Sequence, residues 1–298
     1  MTKPRALILG TRGSQLALRQ SMMVREALLA QHPELELELR VIKTKGDRLQ
    51  QLALDASGDK GLFTKELEHA LRTGEIDLAV HSLKDLPVVP AEGTCIGAIL
   101  PRAVTVDSLI GAPSLEALPA GALIGTSSRR RAYQLAVHYP QLRTAAIRGN
   151  IDTRLAKLES GQYDAILLAE AGLSRLGLEV ARQPIPEELI VPAPGQAAIA
   201  VHVRQSDEQL LQLLRSIHDT VTAEEVGLER RLLQALGGGC ALPLGCVCHI
   251  TGEEAELRVF FATEDGQQHY SERRVLPRSE AEGYVLELAE RLKKDFAL

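Results

Sequence analysis

Residues 6–9, Ala-Leu-Ile-Leu, read as a short buried strand that turns at Gly10-Thr11-Arg12-Gly13-Ser14 into a helix, with Leu16, Met23, Ala27 and Ala30 spaced to share its inner face. Between 34 and 41 charged residues alternate with leucine and valine, the period of two of a strand with one wet face. A second helix is predicted from about Leu62, with Phe63, Leu67, Ala70 and Leu71 turned inward and Gly74 closing it. Residues 76–81 form another strand, which ends in the polar loop Ser82-Leu83-Lys84-Asp85-Leu86-Pro87. Strands alternating with helices in this way predict parallel sheets.

The same order returns further along. Leu9-Gly10-Thr11-Arg12-Gly13-Ser14 is echoed by Ile124-Gly125-Thr126-Ser127-Ser128, and Thr73-Gly74-Glu75-Ile76-Asp77 by Ser160-Gly161-Gln162-Tyr163-Asp164. Two α/β domains of like topology are expected, about 1–101 and 102–196, flanking a cleft, with Pro192-Ala193-Pro194-Gly195 at a crossover. The last eighty residues differ. Thr222-Ala223-Glu224-Glu225 has the form of a capping box before a helix with Leu228, Leu232, Ala235 and Leu236 inward, stopped by Gly237-Gly238-Gly239 just ahead of Cys240. Residues 256–263 and 268–275 read as a hairpin turning at Asp265-Gly266. Ser279-Glu280-Ala281-Glu282 opens a terminal helix with Val285, Leu288, Ala289 and Leu292 on one face, which completes a small α+β domain.

At 298 residues, 45% hydrophobic and 24% charged, the chain has the size and composition of a globular protein with more than one core. No run nears the ~20 apolar residues of a membrane helix. The first apolar stretch is shorter than the core of a secretory signal, so a cytoplasmic protein with no membrane partner is expected. Four cysteines, three of them crowded between Cys240 and Cys248, do not make a disulfide framework. A net charge of -5 excludes a global footprint for nucleic acid, and no nucleic-acid partner is expected. The charge is uneven, however. Between 121 and 157 the basic residues are Arg129, Arg130, Arg131, Arg143, Arg148, Arg154 and Lys157, against one acid, Asp152. Arginine outnumbers lysine 25 to 9, and its planar fork suits carboxylate or phosphate, so a small anionic ligand is the first expectation.

Both Gly-Thr turns sit at predicted helix starts, where free N–H groups and the positive end of the helix dipole hold anions. Serine there is also the ordinary N-cap, and both readings stay open for Ser14 and Ser128. Arg12 stands beside the first turn and Arg129 to Arg131 beside the second. With one acid nearby, the arginines of this zone are expected to repel one another unless an anion joins them. Ser82, Lys84 and Asp85 follow the carboxyl end of a strand, where open sheets place ligands, although Asp85 also reads as a turn former. No Gly-x-Gly-x-x-Gly or Walker pattern supports a nucleotide. Cys240 has three readings: a zinc ligand with Cys246, Cys248 and His249, an inert core thiol, or a covalent anchor alkylated once.

Eight motifs in order match one family: Gly10-Thr11-Arg12-Gly13-Ser14, Lys45-Gly46-Asp47, the run Lys60-Gly61-Leu62-Phe63-Thr64-Lys65-Glu66-Leu67, the run Val80-His81-Ser82-Leu83-Lys84-Asp85-Leu86-Pro87, Gly125-Thr126-Ser127-Ser128-Arg129-Arg130-Arg131, Ile147-Arg148-Gly149-Asn150, the run 163–169, and Gly238-Gly239-Cys240. Over nearly its whole length the chain resembles the porphobilinogen deaminases, also called hydroxymethylbilane synthases. The resemblance implies two periplasmic-binding-protein-like α/β domains flanking a cleft, 1–101 with 197–218 and 102–196, plus a small α+β domain, 219–298, that carries the cofactor cysteine. It implies a transferase that condenses four porphobilinogen molecules head to tail, with loss of ammonia, onto a dipyrromethane joined by a thioether to Cys240, and then releases hydroxymethylbilane by hydrolysis.

Each pyrrole carries two carboxylates, which the cationic zone suits. By the resemblance Lys60, Ser82, Lys84, Ser128, Arg130, Arg131 and Arg154 would hold the primer, while Arg12, Ser14, Arg148 and Arg175 would receive the incoming porphobilinogen. Phe63 would stack on a pyrrole or pack at a helix start. Loss of ammonia leaves an electron-poor azafulvene, and Asp85 is the carboxylate expected to stabilise its ring cation and move protons. No metal is expected; the partner expected besides the substrate is the next enzyme of the tetrapyrrole pathway, and the protein is expected to be a monomer. Three positions depart from the family: Ala56 where a lysine is common, Arg129 where an apolar residue is common, and Ala197 in place of a second glycine after Gly195-Gln196. The competing reading from another class is an anion-binding two-lobed solute-binding or effector-sensing protein, which should be indifferent to Cys240→Ser; a zinc-dependent enzyme is the third.

Overall fold

The computed structural model of the protein describes residues 6–44, 64–238 and 242–296. These fall into two compact units, Met1–Arg102 with Ala198–Ala223 and Ala103–Ala197 with Glu224–Leu298. Among the described residues the first unit is built on a five-stranded sheet in the order Leu37–Val41, Leu7–Thr11, Leu78–Ser82, Ile199–Arg204, Thr94–Ile99. The first three strands are parallel, and Ile199–Arg204 runs antiparallel to both its neighbours. The second unit repeats this order with Arg143–Ala145, Leu123–Gly125, Ala165–Ala169, Asp107–Ile110 and Arg182–Ile185, again antiparallel at the fourth strand. The α/β expectation and the internal echo hold, but the sheets are mixed rather than parallel. In each unit the fourth strand follows directly on a chain crossing from the other unit, without the helical crossover that makes a neighbour parallel.

The echo reaches single atoms. The Asp77 amide donates to the Ile8 carbonyl at 2.8 Å while its carboxylate accepts from the Ile8 amide at 2.9 Å; Asp164 does the same with Leu123 at 2.9 and 2.6 Å. The two glycines also match. A Cβ on Gly10 would lie 2.3 Å from Ile76 Cδ1, and one on Gly125 would lie 3.0 Å from both Ile166 Cγ2 and the Tyr163 ring. Each strand therefore carries glycine at or next to its carboxyl end because neighbouring side chains pack against the backbone itself.

Helix Gln15–Gln31 forms as expected but shows a different face. It buries Gln20, Ser21, Val24 and Leu28, whereas Leu16, Met23 and Ala27 are half-buried and Ala30 is exposed. Its apolar residues lie nearly all round, so spacing alone selects no stripe, and the buried Gln20 amide donates to Ser82 Oγ at 2.8 Å. The alternation at 34–41 yields the edge strand Leu37–Val41, on which Leu39 and Val41 are exposed. The second helix is described over Lys65–Arg72, with Leu67, Ala70 and Leu71 buried and Gly74 left-handed just past its end.

The second unit also holds a three-stranded antiparallel sheet of Leu244–Thr251, Glu254–Ala262 and His269–Pro277. Cys246, Cys248, Leu257, Val259 and Phe261 face the apolar sides of helices Thr220–Ala235 and Ala281–Phe296. Val247, Phe260 and Ala262, on the opposite face, meet Val191 and Tyr133. Period-two strands buried on both sides explain why both cysteines and the intervening valine are inaccessible. Two helix starts differ from expectation. Helix Thr220–Ala235 begins ahead of Thr222, because the Asp219 carboxylate accepts from the Thr222 amide at 2.7 Å and acts as the cap. The terminal helix is preceded by a 3-10 turn, Arg278–Glu280, that takes up Ser279, while Val285, Leu288, Ala289 and Leu292 are buried as spaced.

Candidate functional site

In the first unit the parallel register of Leu7–Thr11 and Leu78–Ser82 brings two turns, 12–14 and 83–85, to the same carboxyl edge of the sheet, where open α/β sheets bind ligands. Ser14 is the N-cap of its helix and accepts from the Ala17 amide at 3.3 Å, and no acid occupies that helix's first turn. Its hydroxyl proton stays available, so capping and ligand binding are compatible. Ser82 is engaged by Gln20 of the same helix, which ties the two turns together. The 3-10 turn Leu83–Asp85 buries Leu83, half-buries Lys84 and leaves the Asp85 carboxylate exposed, with no hydrogen bond or ion pair among the described residues. Leu83 is held by its amide on the Ala198 carbonyl at 3.0 Å.

Behind this edge lie two histidines that the sequence did not single out. His81 and His202 sit on neighbouring strands with ring centroids 5.6 Å apart, edge to face. Burial first, then the charges of His202 and Arg12, drives the His81 pKa down to about 3, and burial takes His202 down to about 4. Both are thus neutral in the folded chain at pH 7, and the unfolded chain takes up their protons near pH 6.5. Their contribution to stability is complete above that pH and is lost as pH falls toward 4 and below. Each adds a slope of up to ~1.4 kcal/mol per pH unit in that window. We expect the urea midpoint to fall between pH 7 and pH 5, and to fall less in His202→Gln.

The second unit carries the matching edge. Strand Leu123–Gly125 leads through Thr126 and Ser127 to Ser128, which caps helix Arg129–His138 by accepting from the Arg131 amide at 3.4 Å; this first turn also lacks acids. Arg129 is exposed, but Arg130 and Arg131 are only 5% and 7% accessible. Arg130 donates to Asp107 Oδ2 at 2.7 Å and to the Val191 carbonyl at 2.6 Å; Arg131 donates to Asp107 Oδ1 at 2.6 Å and to the Leu167 carbonyl at 2.9 Å. The expectation that these arginines lack an acid is therefore corrected. Asp107, fully buried on a strand far back in the chain, counters two of them at once. One carboxylate shared by two guanidinium groups leaves a buried charge of +1, and Arg131 Nε makes no hydrogen bond. Burial pulls the Arg130 guanidinium below the ordinary arginine range, with Asp107 opposing that fall and Arg131 adding to it.

Arg175 ends the short helix Glu170–Arg175 that follows strand Ala165–Ala169. The helix is fixed at its start by Glu170, which accepts from Arg182, from Ser108 at 2.6 Å and from Ser174 at 2.7 Å. Arg175 has no carboxylate partner among the described residues. It donates to the Ala197 carbonyl, its Nε is buried without a hydrogen bond, and desolvation lowers its pKa to about 10. Arg148 is exposed, while Arg154 is half-buried and donates from Nε to the Gly149 carbonyl at 2.8 Å. The structure thus brings Arg130 and Arg131 together on Asp107, with Ser128 capping their helix, and sets Arg175 on the Ala197 carbonyl. Lys60, Phe63, Cys240, Ala56 and the motif Lys45-Gly46-Asp47 lie outside the described residues. Asp107 and Gln196, whose amide reaches Asp107 Oδ1 at 2.8 Å, escaped the sequence reading because neither sits in an arginine-rich window.

Residues 7–212 match the family model described as porphobilinogen deaminase, dipyromethane cofactor binding domain, and residues 223–294 match the porphobilinogen deaminase C-terminal domain. A porphobilinogen deaminase from a Roseiflexus species is 47% identical over 264 residues, 88% of this chain and 87% of that protein. One from a Nostoc species is 42% identical over 299 residues, covering 98% and 93%. Among solved structures, the second substrate-binding domain of Lactococcus lactis GlnP in its open conformation aligns with a TM-score of 0.46 at 13% identity, over 73% of this chain and 89% of that one, a likeness too loose to argue from.

Proposed function

The chain belongs to the porphobilinogen deaminase family, and on that premise we propose how its residues share the work of the family's reaction. It is a hydroxymethylbilane synthase: four porphobilinogen molecules are condensed head to tail with loss of ammonia, on a covalently bound dipyrromethane. When bound, the dipyrromethane supplies the pyrrole carbon to which the first substrate is joined. The residues present suit it. A chain with two carboxylates per ring needs donors in excess of the acids beside them, and the local 2:1 cluster in which Arg130 and Arg131 share the one carboxylate of Asp107, with Arg131 Nε left over, is the observation that carries the reading.

In this assignment Cys240, within 219–298, anchors the primer. Ser128, Arg130, Arg131 and Arg154, with Lys60, Ser82 and Lys84, hold its carboxylates, while Arg12, Ser14, Arg148 and Arg175 take those of porphobilinogen and Phe63 stacks on a ring. Arginine suits this task because its fork meets both oxygens of a carboxylate and stays charged when buried. Asp85, exposed on a tight turn, is the residue that faces the cation developing on the substrate's ring nitrogen as ammonia departs, and it holds or moves the pyrrole N–H proton. We also place the protein in the cytoplasm as a monomer that passes its product to the next enzyme of the tetrapyrrole pathway. No helix among the described residues is long and apolar enough to cross a membrane. The solute-binding alternative gives Cys240 no role and is not favoured.

The test is the intact mass of the denatured chain. The wild type is expected to exceed its sequence mass by two porphobilinogen units less two ammonia, and Cys240→Ser to match its bare sequence even after incubation with porphobilinogen. Equal, unmodified masses after that incubation would remove Cys240 from the assignment.

A further inference from the structure

Ala197 stands alone among the described non-glycine residues in having a left-handed backbone, with φ at 71°. A side chain with a Cβ is strained there, and such strain persists only where the surroundings over-determine it. The surroundings here do so. The Gly195 amide donates to Oε2 of the buried Glu229 at 2.7 Å. The Gln196 side-chain amide donates to the Thr105 carbonyl at 2.6 Å and to Asp107 Oδ1 at 2.8 Å, and the Gln196 backbone amide closes onto the Ala193 carbonyl at 2.9 Å. What the strained residue presents is its carbonyl, which accepts from the Arg175 guanidinium and, at 3.4 Å, from the Ala103 amide.

We propose that residues 195–197 are a positioning device for Arg175: the left-handed turn at Ala197 aims its carbonyl at the guanidinium and leaves the remaining donors of Arg175 to the carboxylate of incoming porphobilinogen. The inference rests on the assignment of Arg175 to the substrate. It adds a reason for the strain, because an extended or helical residue at 197 would point this carbonyl elsewhere. It also couples two groups of arginines, since Gln196 grips the same Asp107 oxygen that Arg131 uses.

The experiment uses the holoenzyme and varies the backbone preference at 197. Glycine adopts this φ without strain and valine resists it. Ala197→Gly is expected to keep KM for porphobilinogen within about twofold, whereas Ala197→Val raises it about tenfold, with kcat and the primer mass on Cys240 retained. In an Arg175→Gln background the same valine should add less than about twofold, because the group it misplaces is gone. A wild-type KM in Ala197→Val, or an equal tenfold rise in both backgrounds, overturns the proposal. If Ala197→Val does not fold, Glu229→Gln replaces it with the same two expectations. A second readout separates this inference from the assignment beneath it. In a chain labelled with 15N-arginine, the Arg175 Nη2–H signal, identified by its loss in Arg175→Gln, should exchange slowly in the wild type and Ala197→Gly and rapidly in Ala197→Val. An unchanged KM in Arg175→Gln would sink the substrate assignment alone; a slowly exchanging signal in Ala197→Val would sink the positioning role.

Discussion

Asp85→Asn is expected to keep its dipyrromethane on Cys240 and to lose turnover by ~10²–10⁴-fold, the range seen when a positioned acid–base or electrostatic group is removed. Asparagine has nearly the same shape as aspartate, and Asp85 is exposed on the turn Leu83–Asp85, so the fold loses little. What disappears is a negative charge and a proton acceptor. In the proposed role both are needed only when ammonia leaves and the pyrrole nitrogen becomes cationic, so the loss is expected to fall on kcat more than on KM. In the proposed assignment the primer depends on Cys240 and the arginines, which the substitution does not touch. Steady-state kinetics with intact mass on the same sample checks both halves. Turnover like the wild type would remove Asp85 from the chemistry, and loss of the primer mass would give it a role in assembly instead.

How far the residues announced this arrangement depends on how local the controlling interaction is. The two glycine turns and their serine caps lie within a few residues of the helices they serve, and a reading of spacing finds them; the echo of Asp77 and Asp164 is legible too, but their bonds to Ile8 and Leu123, 69 and 41 residues away, are not. The terminal helix is equally plain, because its apolar stripe is narrow enough to select one face. Helix Gln15–Gln31 is not, since only the distant Ser82 explains why Gln20 turns inward. The acid that neutralises the arginine zone is missed for the same reason. Asp107 precedes Arg130 by 23 positions and meets it across the unit's fold, so the window around the arginines looks poorer in acids than the folded site is. The antiparallel fourth strands follow from the chain crossings after Arg102 and Ala197; the second is announced by Pro192-Ala193-Pro194-Gly195, but nothing local announces the strand direction that results. Ala197 is a sharper case. Its residue type argues against a left-handed backbone, and the tertiary hydrogen bonds of Gly195 and Gln196 override that preference.

Asp107→Ala should cost the primer-free chain ~3–5 kcal/mol, the penalty for leaving a buried ion pair half-made. Two guanidinium groups, each less than a tenth accessible, would lose their shared carboxylate, and Gln196 would lose an acceptor. The loss separates structure from function when it is measured twice by urea unfolding. In a Cys240→Ser background no primer forms, and the full penalty is expected. If, as proposed, the primer's carboxylates meet Arg130 and Arg131 in the loaded chain, they take over part of the counter-charge, and the penalty should shrink by a measurable fraction. The same loss in both states would make the Arg130–Asp107–Arg131 cluster a purely internal brace and return the primer to other donors. Replacing all three residues together by apolar side chains of similar volume completes the argument. Because the desolvation cost of all three charges then disappears, this variant should be close to the wild type in stability and yet fail to gain the primer mass.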